Sequence, residues 1–238
     1  MWEEFHALAA KGHRPVWWPT FAAMIASIPL MLLSSDTLLF SLLLALMLAN
    51  SLMVLVWVMF RESPSLEDAL VSVMPMFTIL LPGICLISLL RIAPKSLQVT
   101  LLCLVFAISV LGDVTAYFVG SRVGGRKLCP AVSPNKTFSG AAGGLLGSML
   151  GPRAVGAVAS IWAPGEGVLP SLGQCLFIGL VGGAAGQVGD LFASLIKRHC
   201  GIKDFGGIFP GHGGMLDRMD SILFTSVVVY SFWMMTRV

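Results

Sequence analysis

A dense group of charged and polar side chains lies within and beside the last two apolar stretches of this 238-residue chain. Asp190 falls inside one stretch, and Asp217 opens the next. Burying an ionisable side chain among apolar residues is costly, so such a group indicates a functional site. Its members are Asp190, Ser194, Lys197, Arg198, Lys203, Asp204, His212, Asp217, Arg218 and Asp220.

The spacing within this group favours a site built from two helices. Asp190, Ser194 and Lys197 are separated by steps of four and three residues, which places them on one helix face. Asp217 and Asp220, three residues apart, share a face in the same way. Two facing helices would bring the three carboxylates together, and their hard oxygen ligands suit Mg²⁺ around phosphates. Asp190, Asp217 and Asp220 are therefore the predicted metal ligands.

A glycine-rich loop connects the two predicted helices. Gly206-Gly207, Pro210-Gly211 and Gly213-Gly214 surround Phe209 and His212. Backbone amides without bulky side chains can approach phosphates closely. Glycines can also simply turn the chain, but the charged residues on both sides favour the functional interpretation.

A second polar loop reads Ser133-Pro134-Asn135-Lys136-Thr137 and precedes a stretch rich in small residues. A cation and hydroxyls at a helix N-terminus form an anion site, because free amides and the helix dipole point at the ligand. The same residues also fit a plain helix N-cap after a proline turn. The loop by itself favours the cap.

Asp113 is a further acidic residue, two-thirds along the fourth apolar stretch. Within a membrane it must face a polar interior or be protonated. The sequence leaves two roles open for Asp113. It can coordinate or orient a cation, or it can bond to a hydroxyl of another helix.

The elements that position these residues are membrane helices. Of the residues, 56% are hydrophobic and 11% charged, against about 25% charged in soluble domains. A spanning helix needs about 20 apolar residues. We expect an all-α polytopic membrane protein with about seven spans. The spans form a single domain over residues 1–238. Within it, residues 1–95 form the N-terminal helices and residues 96–238 form the catalytic helices and loops. The spans are Val16 to Ser34, Thr37 to Phe60, Ala69 to Leu90, Ser96 to Phe118, Gly140 to Trp162, Leu172 to Leu195 and Ser221 to Thr236.

The basic residues indicate the orientation of these helices. Alternating spans put the N-terminus and the polar loops around 61–68, 121–138 and 199–216 on one side, which collects most of the Lys and Arg. The positive-inside rule places that side in the cytoplasm. A nucleic-acid partner is not expected, because the cations form no continuous stripe with stacking aromatic residues.

Together these motifs resemble the signature of the phosphatidate cytidylyltransferase (CDP-diacylglycerol synthase) family. The resemblance covers the ionic group from Ser194 to Asp220, extends to Ser133 to Thr137 and to Asp113 with Ala116-Tyr117, and is looser over Glu4 to Pro15.

This resemblance implies a usually dimeric enzyme of the bacterial inner membrane that converts CTP and phosphatidic acid into CDP-diacylglycerol and pyrophosphate. It implies a divalent metal such as Mg²⁺, and leaves open whether a monovalent cation such as K⁺ joins it. The active site would lie between the C-terminal helices at the cytoplasmic side. The implied catalytic residues are Lys197, Arg198, Lys203, Asp204, His212 and Arg218, and the implied substrate-binding residues are Ser133, Lys136, Thr137, Ser194 and Asp113.

Three departures from the family pattern keep other functions open. Ser139 and Ala193 stand where family members commonly have acids. The chain also begins about where relatives have already made their first spans, so an N-terminal portion is expected to be missing. The alternatives are a CTP-dependent polyprenol or dolichol kinase, an inactive paralogue, and, as a different class, a transporter or channel.

Overall fold

The protein is described by a computed structural model covering residues 1–33, 36–162, 171–208 and 213–236. Most of this part of the chain is helical, which confirms the all-α prediction. A π-helical segment, Met76–Leu80, joins α4 to α5. The helices are α1 (Trp2–Ala10), α2 (Trp18–Leu33), α3 (Asp36–Met59), α4 (Leu66–Pro75), α5 (Leu81–Leu89), α6 (Lys95–Val123), α7 (Phe138–Trp162), α8 (Leu172–Cys200) and α9 (Leu216–Thr236), and the strands are β1 (Lys127–Cys129) and β2 (Ser133–Thr137).

Six helical segments of the described residues are long and apolar enough to cross a membrane, and Trp18–Leu32 is a shorter apolar helix. This confirms a polytopic membrane protein, while the number of crossings stays a prediction. Helices α6 and α8 have 29 residues each, about 43 Å at 1.5 Å per residue. Both exceed the roughly 30 Å hydrocarbon core, so one end of each can extend into the polar region. The six are Ser41–Met59, Leu66–Leu89, Lys95–Val123, Phe138–Trp162, Leu172–Cys200 and Leu216–Thr236.

The chain packs as two compact units, the first formed by Met1–Ile84 and Cys200–Leu216. Its apolar core includes Leu39, Met76 and Val54, each almost fully buried. Helix α1 was not predicted from the sequence. It buries one apolar side, including Phe5 and Leu8, and its first turn carries acidic residues, which the dipole at a helix N-terminus favours.

The second unit consists of Cys85–His199 and Asp217–Val238, of which residues up to 236 are described. It contains α6 to α9 and a core that includes Val105, Ile108, Ile178 and Val229. Small residues let these helices pack closely. A Cβ built on Gly179 of α8 would lie only 2.4 Å from the backbone oxygen of Ser148 in α7.

Polar side chains also hold the helices of this second unit together. Ser148 donates from α7 to the Ile108 carbonyl of α6 at 2.9 Å. Gln187 donates from α8 to the Ala141 carbonyl of α7 at 3.0 Å. Helix α7 is continuous through Pro152, in keeping with its prediction as one span.

A short hairpin occupies the segment that the sequence indicated only as a loop. Strands β1 and β2 are antiparallel, with Lys127 opposite Thr137 and Cys129 opposite Ser133. Strands of three and five residues that contain Pro134 and polar side chains lack the alternating apolar pattern on which strand prediction depends. The hairpin presents Lys136 from its second strand, immediately before α7.

Candidate functional site

An ion pair links the hairpin to α8 in the second unit. Lys136 Nζ donates to Asp190 Oδ2. The two side chains keep 30% and 28% of their surface exposed, so a ligand can still reach both. Lys136 from the predicted anion-binding loop thus meets Asp190 from the predicted metal site.

Thr137, beside Lys136, uses its hydroxyl within the fold. Its Oγ1 accepts a hydrogen bond from the Gly140 amide at 3.0 Å, and the residue is 5% exposed. This is the N-cap arrangement that the sequence left open. The cap fixes the end of β2 against the start of α7. Thr137 therefore helps to hold Lys136 in place, and its predicted contact with substrate stays a prediction.

Three carboxylates from three helices lie near one another. Asp113 of α6 and Asp220 of α9 are each close enough to Asp190 of α8 for their charges to repel. Repulsion of this kind is offset by cations, and Lys136 supplies one at Asp190. The structure thus adds Asp113, predicted to bind substrate, to two of the three predicted metal ligands.

Ser221 connects two of these acids. Its Oγ donates to Asp113 Oδ2 at 3.2 Å, and its amide donates to Asp220 Oδ1 at 2.8 Å. Ser109 Oγ lies 2.6 Å from the same Ser221 hydroxyl. Neither serine was predicted from the sequence, because a serine inside a membrane helix usually bonds its own backbone and gives no pattern. Only the position of Ser221 directly after Asp220 offered a signal.

A small cavity adjoins this network. It has room for about one water molecule. Polar groups from all four helices of the unit reach it. They are Ser109, Asp113, Ser148, Gln187, Ser221 and Thr225.

A second ion pair joins the end of α8 to the start of α9. Lys197 Nζ donates to Asp217 Oδ1 at 2.7 Å, and the two side chains are only 11% and 7% exposed. This contact confirms that the two charged helix ends face each other. Asp217, predicted as a metal ligand beside Asp190 and Asp220, is held by a lysine in the structure. Over the residues that the structure describes, no three His, Cys, Asp or Glu side chains form a group arranged to hold a metal ion.

The remaining predicted residues are distributed between the two units. In the second unit Ser194 is buried, Ser133 is half-buried, and Arg198 and Arg218 are exposed. Lys203 and Asp204 belong to the first unit, where both are exposed. His212 lies outside the described residues. The roles of all of these residues stay predictions.

The match to known proteins covers nearly the whole chain. The profile of the cytidylyltransferase family matches residues 1–236. The chain belongs to the cytidylyltransferase family. This confirms the family resemblance found in the sequence motifs.

Individual relatives of this cytidylyltransferase-family chain match over a shorter part. A phosphatidate cytidylyltransferase of Brucella abortus is 41% identical over 133 residues, which are 56% of this chain and 46% of the relative. That of Bacillus subtilis is 44% identical over 118 residues, 50% of this chain and 41% of the relative. That of Staphylococcus aureus is 44% identical over 123 residues, 50% and 43% respectively. The chain spans about half the length of the curated relatives it matches.

Two of the departures from the family pattern, Ser139 and Ala193, have structural roles in this cytidylyltransferase-family chain. Ser139 donates its hydroxyl to the Gly124 carbonyl and lies 3.0 Å from Thr137 Oγ1, so it ties the base of the hairpin to α7. Ala193 is 5% exposed, so its methyl group is enclosed within the protein. An acid at either position would need different surroundings.

Proposed function

We propose that this chain is an integral membrane enzyme that transfers CMP from CTP to phosphatidic acid, giving CDP-diacylglycerol and pyrophosphate. The observation that carries the proposal is the accessible Lys136–Asp190 pair beside Asp113 and Asp220. Paired cations and carboxylates at a helix junction suit a substrate that carries several phosphates and a metal. Family membership and the names of the relatives support the same assignment.

The reaction needs positioning more than acid or base chemistry. A phosphate oxygen of phosphatidic acid forms a bond to the α-phosphorus of CTP. The bond from that phosphorus to the bridging oxygen breaks, and its electron pair leaves with pyrophosphate. A phosphate monoester is mostly ionised near neutral pH, since its second pKa is about 6. No general base is therefore required, and charge neutralisation supplies most of the catalysis.

The two lysines have different roles in this proposal. Lys136 is accessible and bound to a single carboxylate oxygen, so its ammonium group can exchange that oxygen for a phosphate oxygen of a triphosphate. Lys197 is enclosed with Asp217 and keeps the ends of α8 and α9 together. Arg198 and Arg218 are exposed next to these helix ends, where they can neutralise outgoing pyrophosphate.

The donor set fits Mg²⁺. Magnesium is usually held by one or two carboxylates plus substrate phosphates and waters, and Asp190 and Asp220 are two carboxylates whose repulsion a dication relieves. We propose these two as its ligands, with Asp113 beside them. When bound, the ion polarises phosphate oxygens and stabilises the leaving pyrophosphate. Lys136 moving to the phosphates would release Asp190 for this role.

We further propose that the enzyme lies in a bacterial inner membrane with the hairpin and the α8–α9 connection facing the cytoplasm. The asymmetric Lys and Arg distribution supports this orientation. A homodimer, which the family resemblance implies, is part of the same proposal.

The test is a double-label assay on the purified full chain. The protein is incubated in detergent with phosphatidic acid, MgCl₂, and CTP labelled at either the α- or the γ-phosphate. The proposed reaction transfers α-label to the lipid phase and releases γ-label as pyrophosphate. A CTP-dependent lipid kinase would instead put γ-label into lipid when given a polyprenol acceptor.

Two controls complete the assay. Asp220→Asn tests the site, and Lys95→Gln, at the exposed start of α6, tests for nonspecific effects of removing a charge. Failure of the wild-type chain to transfer α-label under any of these conditions would contradict the proposal and favour an inactive paralogue. Lipid-independent solute flux in vesicles would favour a transporter.

A further inference from the structure

The Glu3 carboxylate on α1 binds the backbone just before the acidic start of α9. Its Oε1 accepts from the Met215 amide at 3.0 Å, and its Oε2 accepts from the Leu216 amide at 2.9 Å. The residues lie 212 and 213 positions apart in the chain, within one compact unit. Both carboxylate oxygens are therefore used to hold one point of a distant loop.

The loop is shaped around this carboxylate. A Cβ added to Gly214 would lie 2.6 Å from Glu3 Oε1, and one added to Gly206 would lie 2.8 Å from the same atom. Neither distance is possible for a real Cβ without displacement. Gly207, the neighbour of Gly206, has open space around it. Gly206 and Gly214 therefore leave no room for a Cβ beside Glu3, whereas Gly207 does.

The position of the contact gives it a consequence for the site. Leu216 is the first residue of α9, and Asp217 follows it directly in the chain. The first amides of a helix have no partner within the helix, and a carboxylate bound to them is favoured by the helix dipole. Fixing the amides of Met215 and Leu216 fixes the direction in which α9 begins. The residues that follow directly in the chain carry the carboxylates Asp217 and Asp220.

We propose that Glu3 is a positioning residue for the acidic start of α9, acting through the backbone of Met215 and Leu216. The catalytic consequence rests on the proposed function, whereas the contact of Glu3 with Met215 and Leu216 is independent of that function. Misplacing a catalytic group by about 1 Å can cost about 100-fold in rate. Loss of the Glu3 contact should consequently lower turnover without unfolding the protein.

The test combines hydrogen exchange with kinetics on the full chain. Glu3→Gln removes one of the two acceptors and places an NH₂ group against an amide. We expect faster exchange in the peptide containing Met215 and Leu216, and a fall of about tenfold or more in kcat. Glu3→Asp keeps both acceptors and the charge, so it should recover most of the turnover. Glu62→Gln, an exposed acid of the same unit, is the matched control.

Glycine-to-alanine substitutions test the Glu3 contact independently. Gly214→Ala should reproduce both effects of Glu3→Gln, whereas Gly83→Ala, at a glycine of the same unit with open space around it, should match wild type. Unchanged exchange and kcat in Glu3→Gln would overturn the inference, as would a Glu3→Gln protein that is simply unfolded, or no recovery in Glu3→Asp. A wild-type chain with no CDP-lipid formation would instead contradict the proposed function, and exchange at Met215 and Leu216 would still report on the Glu3 contact.

Discussion

Lys136 donates a hydrogen bond from the hairpin to Asp190 on α8, across 54 residues of sequence. Each residue alone belongs to a different motif, one typical of an anion site and one typical of a metal site. Their pairing joins the two motifs into one charged cluster with Asp113 and Asp220.

Replacing Lys136 by Gln should reduce CDP-lipid formation by about 100-fold or more, the effect of losing one donor to a developing phosphate charge. The physical reason is that Gln can fill the space but supplies no positive charge. Initial rates with α-labelled CTP measure the change. Lys95→Gln should retain full activity. Equal rates in the two variants would show that Lys136 does not act in the site.

Asp217 and Asp220 should differ in what they contribute. Asp217→Asn weakens the enclosed contact with Lys197 and should lower the free energy of unfolding by about 1.5–3 kcal/mol. Asp220→Asn should abolish CTP-dependent lipid labelling with little change in the melting temperature. Thermal melts in detergent, read beside the activity assay, separate the two effects. Equal melting temperatures would show that the Lys197–Asp217 pair is not a structural contact.

Gly179→Ala should destabilise the second unit. The new Cβ would lie 2.4 Å from the Ser148 carbonyl oxygen and 2.5 Å from the Met149 Cα, which are backbone atoms that cannot move independently of α7. Overpacking of this kind costs about 1–3 kcal/mol. Gly173→Ala, in the same helix but with open space around it, is the control. A similar melting temperature for both variants would contradict the close approach of α7 and α8.

Glu4 should make stability depend on pH. Burial raises the pKa of this α1 carboxyl from 4.5 to about 7, against smaller opposite effects of the Met1 amino group and the Thr78 hydroxyl. A raised pKa in the folded state means that the stabilisation is complete below about pH 4.5 and is lost as the pH rises to about 7. The loss amounts to about 3 kcal/mol at 1.36 kcal/mol per pKa unit.

Denaturation of wild type and Glu4→Gln between pH 4.5 and 8 measures this effect. The neutral amide cannot ionise, so the difference in unfolding free energy between the two proteins should change with pH in the direction that favours Glu4→Gln at pH 8. Glu67→Gln, which alters an exposed acid of the same unit, should keep the wild-type dependence. Parallel curves for wild type and Glu4→Gln would show that the carboxyl stays ionised in the fold.

Local properties of the chain were enough to predict the membrane character, most of the helices and the chemical groups of the site. Hydropathy is a local property, so the apolar stretches predicted α2, α3 and α6 to α9, including the continuous α7. They predicted α4, the π-helical segment and α5 together as one span. The ionic residues were also evident, because charges among apolar residues are rare and costly. Short elements such as α1 and the β1–β2 hairpin were missed, because a few residues carry too little periodicity.

Which of the charged side chains meet depends on how the helices pack against one another. Spacing within each of two helices, taken to face each other, predicted that Asp190, Asp217 and Asp220 would converge. The structure places Asp113 near Asp190 and Asp220 and pairs Asp217 with Lys197, and the role of Asp217 as a metal ligand stays a prediction. The reason is that contacts between helices depend on their crossing and rotation, which close packing at glycines such as Gly179 sets. The contact of Glu3 with Met215 and Leu216, more than 200 residues away, likewise has no trace in the local sequence.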